Sequence, residues 1–306
     1  MFGFRKRNGK IVNVYTSGLT AQLGEEERFR DLLRRMAREN RLAAASFVII
    51  VLLILAAVFA PVLTPYRFDQ MDLMHRLSPP SLSHPFGTDE AGRDILTRML
   101  FGSRISLLVG IVPTLISMTA GAFLGVIAGF YGGLADSVIM RLADIMLAFP
   151  SILLAMVIMY TLGDGVSNVI LTLALVSWAG VARVVRSETL RLKALEYTEA
   201  ARAIGVHRFV ILLRHILPGC IPTLIVLFTL NVPSAILTES SLSFLGLGIQ
   251  PPGASWGQMI STGRQFLYNA PWLSLIPSAA IMLCVLAFNF LGDGLRDVLD
   301  PHERNL

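Results

Sequence analysis

One short pattern in the sequence has the residue types and spacing of a serine nucleophile. Residues 253–257 read Gly-Ala-Ser-Trp-Gly and match GxSxG, the strand-to-helix turn that exposes the reactive serine of many hydrolases. Two prolines directly precede the pattern, and they suit neither a strand nor that turn. A serine nucleophile also needs a neighbouring base, and the five histidines fall in polar connections or at the ends of apolar segments. We therefore predict no catalytic residue in this chain.

Two other kinds of chemistry have no matching pattern. The His, Cys, Asp and Glu residues do not cluster at the spacings of a metal site, and Cys220 and Cys284 stand alone in or beside apolar segments. A phosphate-binding loop requires GxxxxGK followed by Ser or Thr, and Gly9-Lys10 has neither that spacing nor the hydroxyl. We predict no metal ligand and no cofactor in this chain, so energy from ATP would have to arrive from another subunit.

Composition and patterning place the chain in a membrane. Its 306 residues are 54% hydrophobic and 15% charged, whereas a soluble domain carries roughly 25% charged residues. The apolar residues form blocks close to the ~20 residues that a helix needs to cross a bilayer. We predict an all-α integral membrane protein with six transmembrane helices, at residues 42–63 and at about 103–130, 139–162, 166–184, 218–238 and 272–291.

The positions of the basic residues predict the topology. Ten of the 26 Lys and Arg residues precede the first span, and seven more lie in residues 183–214. Basic segments of this kind stay in the cytoplasm, so we interpret the net charge of +5 as a sign of orientation and of contact with the lipid bilayer, with no nucleic acid bound. The predicted order is a cytoplasmic tail with an amphipathic helix (1–41), the first span (42–63), an external loop (64–102), a five-span core (103–292) with a cytoplasmic loop (185–217) and an external loop (239–271), and a cytoplasmic tail (293–306).

Small residues and prolines inside the spans predict how the helices pack. Gly121, Gly125 and Gly129 form two small-xxx-small steps, which allow two helices to approach closely. Prolines within the spans predict kinks, because each removes a helical hydrogen bond. These prolines are Pro113, Pro150, Pro222, Pro233 and Pro277.

Polar side chains within the spans are candidates for a translocation pathway. An ionisable group inside a bilayer is costly and is by default a functional candidate. Glu239 closes the fifth span, and we predict that it lines the pathway together with Asn231 and Asn289. The alternatives for Glu239 are a carboxylate at the membrane interface or an ion-pair partner of Arg264.

Residues 196–218 form a charged, helix-forming stretch between two apolar spans. Glu199, Ala200 and Ala201 sit in a short helix with small residues on one side, which lets another surface approach closely. Gly205 allows the chain to turn back towards the membrane, and Leu217-Pro218 begins the next span, since proline is tolerated in a first turn. This spacing fits a docking helix and an ordinary amphipathic loop equally well.

A resemblance favours docking. Glu199-Ala200-Ala201, three residues, Gly205 and then Leu217-Pro218 resemble the coupling motif of the membrane subunits of ABC importers. His215 departs from the general pattern, which has an isoleucine there, and resembles the Arg-His-Ile-Leu-Pro form of peptide permeases. Four further blocks, at 86–110, 144–155, 241–257 and 287–301, resemble the second permease subunit of the dipeptide, oligopeptide and nickel transporter family.

The resemblance implies a fold, partners and a cargo. It implies the ABC type I importer permease fold in a bacterial plasma membrane, with a cytoplasmic coupling helix. The implied partners are a homologous second permease, two ATP-binding subunits that hold ATP and Mg, and an external substrate-binding protein. The cargo is a di-, tri- or oligopeptide, with glutathione as one option and nickel as the alternative. A proton-coupled carrier and a membrane protease are hypotheses from other classes.

Overall fold

The computed structural model describes residues 40–251 and 253–299, and every regular element in these ranges is helical. The predicted amphipathic helix lies outside the described residues apart from its end. We label the helices in chain order. They are α1 (Arg41–Val58), α2 (Ala60–Leu63), α3 (Ile95–Tyr131), α4 (Gly133–Ala148), α5 (Ser151–Leu162), α6 (Val166–Lys193), α7 (Glu196–Ala203), α8 (Arg208–Ile211), α9 (Leu217–Phe244), α10 (Trp256–Gly263) and α11 (Trp272–Leu299).

The long helices confirm the predicted class of all-α membrane protein. Five helices are long and apolar enough to cross a bilayer: α1, α3, α6, the continuous run from α8 to α9, and α11. The pair α4 and α5 makes a sixth candidate if the two helices together form one bent span. The six predicted spans therefore correspond to this structure when the bent pair is counted as one crossing.

Helices α3 and α6 pack face to face along the glycine steps. A Cβ atom on Gly121 would lie 2.7 Å from the carbonyl oxygen of Trp178, and one on Gly125 would lie 2.5 Å from that of Ala182. Such distances leave no room for a side chain, so the backbones touch. The close packing predicted from these glycines is present, and it makes α3 and α6 the central helix pair.

The predicted third span, 139–162, is not one continuous helix. Helices α4 and α5 meet at an angle of 91°. Phe149 takes an extended conformation, with φ −93° and ψ 140°, because the ring of Pro150 disfavours the helical region for the residue that precedes it. Pro150 thus breaks the helix where the sequence predicted only a kink.

Several other helices extend beyond the bounds predicted from hydropathy. Helix α3 begins at Ile95, inside the predicted external loop, because the Asp94 carboxylate caps it by accepting from the N–H of Thr97 at 2.8 Å. Helix α6 continues to Lys193, whose Nζ donates to the carbonyl of Phe130 at 2.7 Å. Helix α11 likewise runs through the start of the predicted C-terminal tail. Capping and packing contacts extend these helices beyond their apolar segments. A hydropathy pattern carries no information about such contacts, so it predicts bounds that are too short.

Candidate functional site

The predicted docking segment forms the short helix α7. It starts after Leu195, which is extended with φ −74° and ψ 143°. Glu196 and Glu199 occupy its first turn, where negative charge interacts favourably with the positive end of the helix dipole. The helix ends at Ala203, before the glycine that the sequence predicted to break it.

The end of α7 explains the spacing between Ala201 and Gly205. The N–H of Gly205 donates to the carbonyl of Arg202 at 3.0 Å, and the N–H of Val206 donates to that of Ala201 at 3.1 Å. This pair of bonds is the Schellman motif, which requires a residue with positive φ at the first position beyond the helix cap. Gly205 has φ +82°, a conformation that glycine adopts without steric cost.

Helix α7 has one buried face and one exposed face. Thr198 is fully buried and donates its hydroxyl proton to the carbonyl of Leu192 at 2.9 Å, while Ala201 is 8% exposed. Glu199 and Ala200 are exposed on the opposite side. Ile204, just past the helix, is 81% exposed. The structure therefore presents a carboxylate, a small residue and a large apolar residue on one open surface.

The buried face of α7 rests on an apolar cluster that joins three long helices. Ala201 contributes to this cluster from α7, and Val206 packs against it from the following turn. The other members come from α3, α6, the α8–α9 run and nearby turns, and they include Val126, Val185 and Cys220. Helix α7 therefore packs on side chains from α3, α6 and α9 together.

Leu217 and Pro218 lie inside a longer helix than the sequence predicted. The helical run starts at Arg208, and a π-helical turn, Leu212–Ile216, separates α8 from α9. Pro218 is therefore not at the true start of the span. The π turn accommodates a proline in mid-helix, because a proline offers no N–H to the turn before it.

Glu239 does not line an open surface in this structure. Its side chain is 1% exposed, and its carboxylate accepts hydrogen bonds from Ser243 Oγ at 2.7 Å and Ser255 Oγ at 2.9 Å. Arg264 contacts Phe244 instead, with its guanidinium 4.7 Å from the ring centroid. In this structure Glu239 therefore lines no open surface and does not pair with Arg264, and its role along the pathway stays a prediction.

Asn231 and Asn289 are half-buried within α9 and α11. Asn231 Nδ2 donates to the carbonyl of Leu227 on its own helix at 2.7 Å. A cavity of about 430 Å³ opens between α9, α10 and α11, with Ser240 and Ser278 in its wall. Neither asparagine lines this cavity.

The GxSxG pattern has a structural role. Ser255 is fully buried and is the N-cap of α10, where its Oγ accepts from the N–H of Gln258 at 3.1 Å. The next residue, Trp256, donates its N–H to Ser106 Oγ at 3.0 Å and its indole N–H to the carbonyl of Met99 at 3.2 Å. This block thus fixes α10 against α3 and α9.

Two ion pairs that sequence reasoning missed connect the bent pair to α6. Arg186 binds both oxygens of Asp136, at 2.5 Å and 2.6 Å, and Arg183 lies 2.5 Å from Asp144. The second pair is about half exposed, at 54% and 52%. The sequence shows basic residues on one helix and acidic residues on another. Which of them form pairs depends on how the helices pack, so only a tertiary structure can assign the pairs.

A buried polar cluster holds the loop before α3. Arg98 is 2% exposed, with its Nε 3.4 Å from Asp89 and its Nη2 3.3 Å from Gln258 Oε1. Asp89 also accepts from the Nε of Arg93 at 2.7 Å. Because paired charges at this depth are costly to separate, the cluster locks the loop to α3 and α10.

The class of protein follows from the fold together with sequence comparison. Residues 121–305 match the family described as "binding-protein-dependent transport system inner membrane component". Residues 28–80 match the "N-terminal TM domain of oligopeptide transport permease C". The chain belongs to the family of inner membrane components of binding-protein-dependent transport systems, and this confirms the predicted resemblance.

Three similar proteins are permeases named for glutathione, dipeptide and oligopeptide transport. The chain is 46% identical to a glutathione transport system permease protein of Pectobacterium atrosepticum, over 89% of this chain and 91% of that protein. It is 45% identical to a dipeptide transport system permease protein of Alkalihalophilus pseudofirmus, over 89% of each. It is 41% identical to an oligopeptide transport system permease protein of Bacillus subtilis, over 90% of each.

Proposed function

We propose that this chain is the membrane-spanning permease subunit of an ATP-driven ABC importer for peptides. Its similarity to glutathione, dipeptide and oligopeptide permeases over nearly its whole length supports a peptide cargo. Glutathione is itself a tripeptide, so the three kinds of relative share one chemical class of substrate. Nickel remains the alternative cargo that the uptake experiment below tests.

The proposed assembly contains this chain, a homologous second permease, two ATP-binding subunits that hold ATP and Mg, and an external substrate-binding protein. It lies in the bacterial inner membrane with both termini of this chain in the cytoplasm. The basic residues on α6 and on the connection after it support this orientation, because basic segments are retained on the cytoplasmic side.

The observation that carries the proposal is the exposed face of α7. Glu199 and Ala200 are open to solvent while Ala201 anchors the same helix to an apolar cluster shared by three spans. A subunit that binds this face can therefore push on the spans. We assign ATPase coupling to Glu199, Ala200, Ala201 and Gly205, with Leu217 and Pro218 at the junction with α9.

Reconstituted uptake tests the function. The complete transporter, assembled from this chain and the products of adjacent genes, is placed in proteoliposomes with ATP and labelled cargo. We expect uptake of a di-, tri- or oligopeptide that requires both ATP and the binding protein and persists when an ionophore removes the proton gradient. Uptake without ATP would indicate a proton-coupled carrier, and uptake of nickel alone would establish the alternative cargo.

A further inference from the structure

The helix that follows the docking segment contains one irregular turn. Residues Leu212–Ile216 are π-helical, and the N–H of Leu217 bonds to the carbonyl of Leu212 across five residues. A π turn inserts one extra residue into a helix, and such turns are frequent at functional sites. Pro218 follows at once and offers no N–H to this turn. The helical hydrogen bonding is thus interrupted at the end of the span that lies nearest α7.

His215 in the π turn is joined to α7 by a ring stack. Its ring lies 6.0 Å from that of Tyr197, centroid to centroid, with 26° between the two planes. The Nδ1 atom of His215 is buried and has no hydrogen-bond partner among the described residues. Among the described residues, the stack on Tyr197 is therefore the contact that holds this side of the His215 ring. The two rings can shift against each other without breaking a hydrogen bond.

Helix α7 consequently makes two kinds of contact with the neighbouring helices. Thr198 and Ala201 fix it to α6 and to the shared apolar cluster. Tyr197 alone among these residues reaches the π turn through an aromatic contact. The apolar cluster also contains Ile216 of the π turn, so the stack of Tyr197 on His215 is a second, aromatic contact between α7 and the same turn.

We infer that His215 is a positioning residue that carries the displacement of α7 into α9. The inference rests on the proposed docking of an ATPase subunit at α7. When that subunit moves α7, the ring of Tyr197 moves His215, and the irregular hydrogen bonding of the π turn lets this end of the helix move with it. Helix α9 then shifts as a unit, and Glu239 on α9 transmits the shift to Ser255 and α10 at the other end.

Paired substitutions in the complete transporter test this role. His215→Phe keeps a ring in the stack and His215→Leu removes it, while Tyr197→Phe and Tyr197→Leu repeat the comparison from α7. Leu213→Ala is the control, because Leu213 lies in the same π turn but is 46% exposed. The measurements are peptide uptake per ATP hydrolysed, and the amount of ATPase subunit that co-purifies with each variant.

The ring-removing variants are expected to lower uptake per ATP by about threefold to tenfold, the scale of one lost aromatic contact. Co-purification should be unchanged, and both Phe variants should retain coupling.

A purely structural role would lower the yield of all variants and leave uptake per ATP intact, which would overturn the inference. Normal coupling in the Leu variants while Glu199→Ala is uncoupled would also overturn it, and normal coupling in Glu199→Ala as well would refute the docking proposal itself.

Discussion

The hydroxyl of Ser255 donates a 2.9 Å hydrogen bond to Oε1 of Glu239, and this contact ties the start of α10 to α9. The same hydroxyl oxygen accepts from the N–H of Gln258 at 3.1 Å. Ser255 therefore both donates and accepts a hydrogen bond, and it is fully buried. A serine that lies in a nucleophile motif thus connects two helices by hydrogen bonds in this structure.

Replacing Ser255 should weaken that joint. Ser255→Ala removes a helix cap, which costs about 0.5–2 kcal/mol, and it takes one donor from a buried carboxylate. We expect a lower melting temperature of the detergent-purified transporter. Ser241→Ala is the control, because its exposed hydroxyl donates to the carbonyl of Leu237 on the same helix and does not join two helices. A membrane protease would instead lose peptidase activity with no change in melting temperature.

Substitutions at Glu239 separate a structural role from a lining role. Glu239→Gln keeps an acceptor for Ser243 and Ser255, whereas Glu239→Leu leaves both hydroxyls without their acceptor. We expect Gln to be tolerated and Leu to reduce both the melting temperature and the yield of assembled transporter. If Gln altered the rate or selectivity of uptake at unchanged stability, Glu239 would face the cargo in another conformation.

Gly205→Ala should uncouple transport. Alanine at φ +82° is strained by about 1–2 kcal/mol, which would tilt the end of α7 and the surface beside it. We expect less uptake per ATP hydrolysed, with the protein still present in the membrane.

Gly246 provides a matched control for that experiment. It ends α9 with the same φ of +82° and the same pair of bonds, from Gly246 N–H to Ser243 and from Leu247 N–H to Leu242. Gly246→Ala carries equal strain but lies at the other end of α9. Equal uncoupling by both variants would mean that backbone strain in general, and not the docking surface, impairs transport.

Gly125→Leu should prevent α3 and α6 from packing. A Cβ at this position already lies 2.5 Å from the carbonyl oxygen of Ala182, and overpacking a close contact costs typically 1–3 kcal/mol. We expect a severe loss of folded protein in membranes, measured by size-exclusion profile after extraction. Gly180→Leu is the control on α6, since a Cβ there meets no atom within 4 Å. Comparable losses in both variants would show that the α3–α6 contact is not what limits folding.

Much of the fold could be predicted because its signals are local. Apolar blocks of spanning length predicted the long helices, and the glycine steps predicted the face on which α3 meets α6. The bounds were less predictable, since Asp94 caps α3 before the apolar block begins. The break at Pro150 was visible in the sequence, but proline is compatible both with a kink and with the 91° bend.

Part of the candidate site could likewise be predicted from local signals, and part of it could not. The spacing from Ala201 to Gly205 predicted a helix that ends at a glycine, because a Schellman cap is specified within a few residues. The stack of Tyr197 on His215 and the π turn had no signal in the sequence, since both depend on how α7 and the following helix pack. The burial of Glu239 against Ser255 had no signal in the sequence for the same reason.

The sequence by itself determined that this chain spans a membrane, which apolar segments form its long helices and where α7 ends, because hydropathy, periodicity and capping act between residues close in the chain. The tertiary structure alone decided which polar groups are buried together. Glu239 and Ser255, like Asp136 and Arg186, are far apart in the chain and meet only because their helices pack. Whether a carboxylate lines a passage or holds two helices together depends on those distant partners.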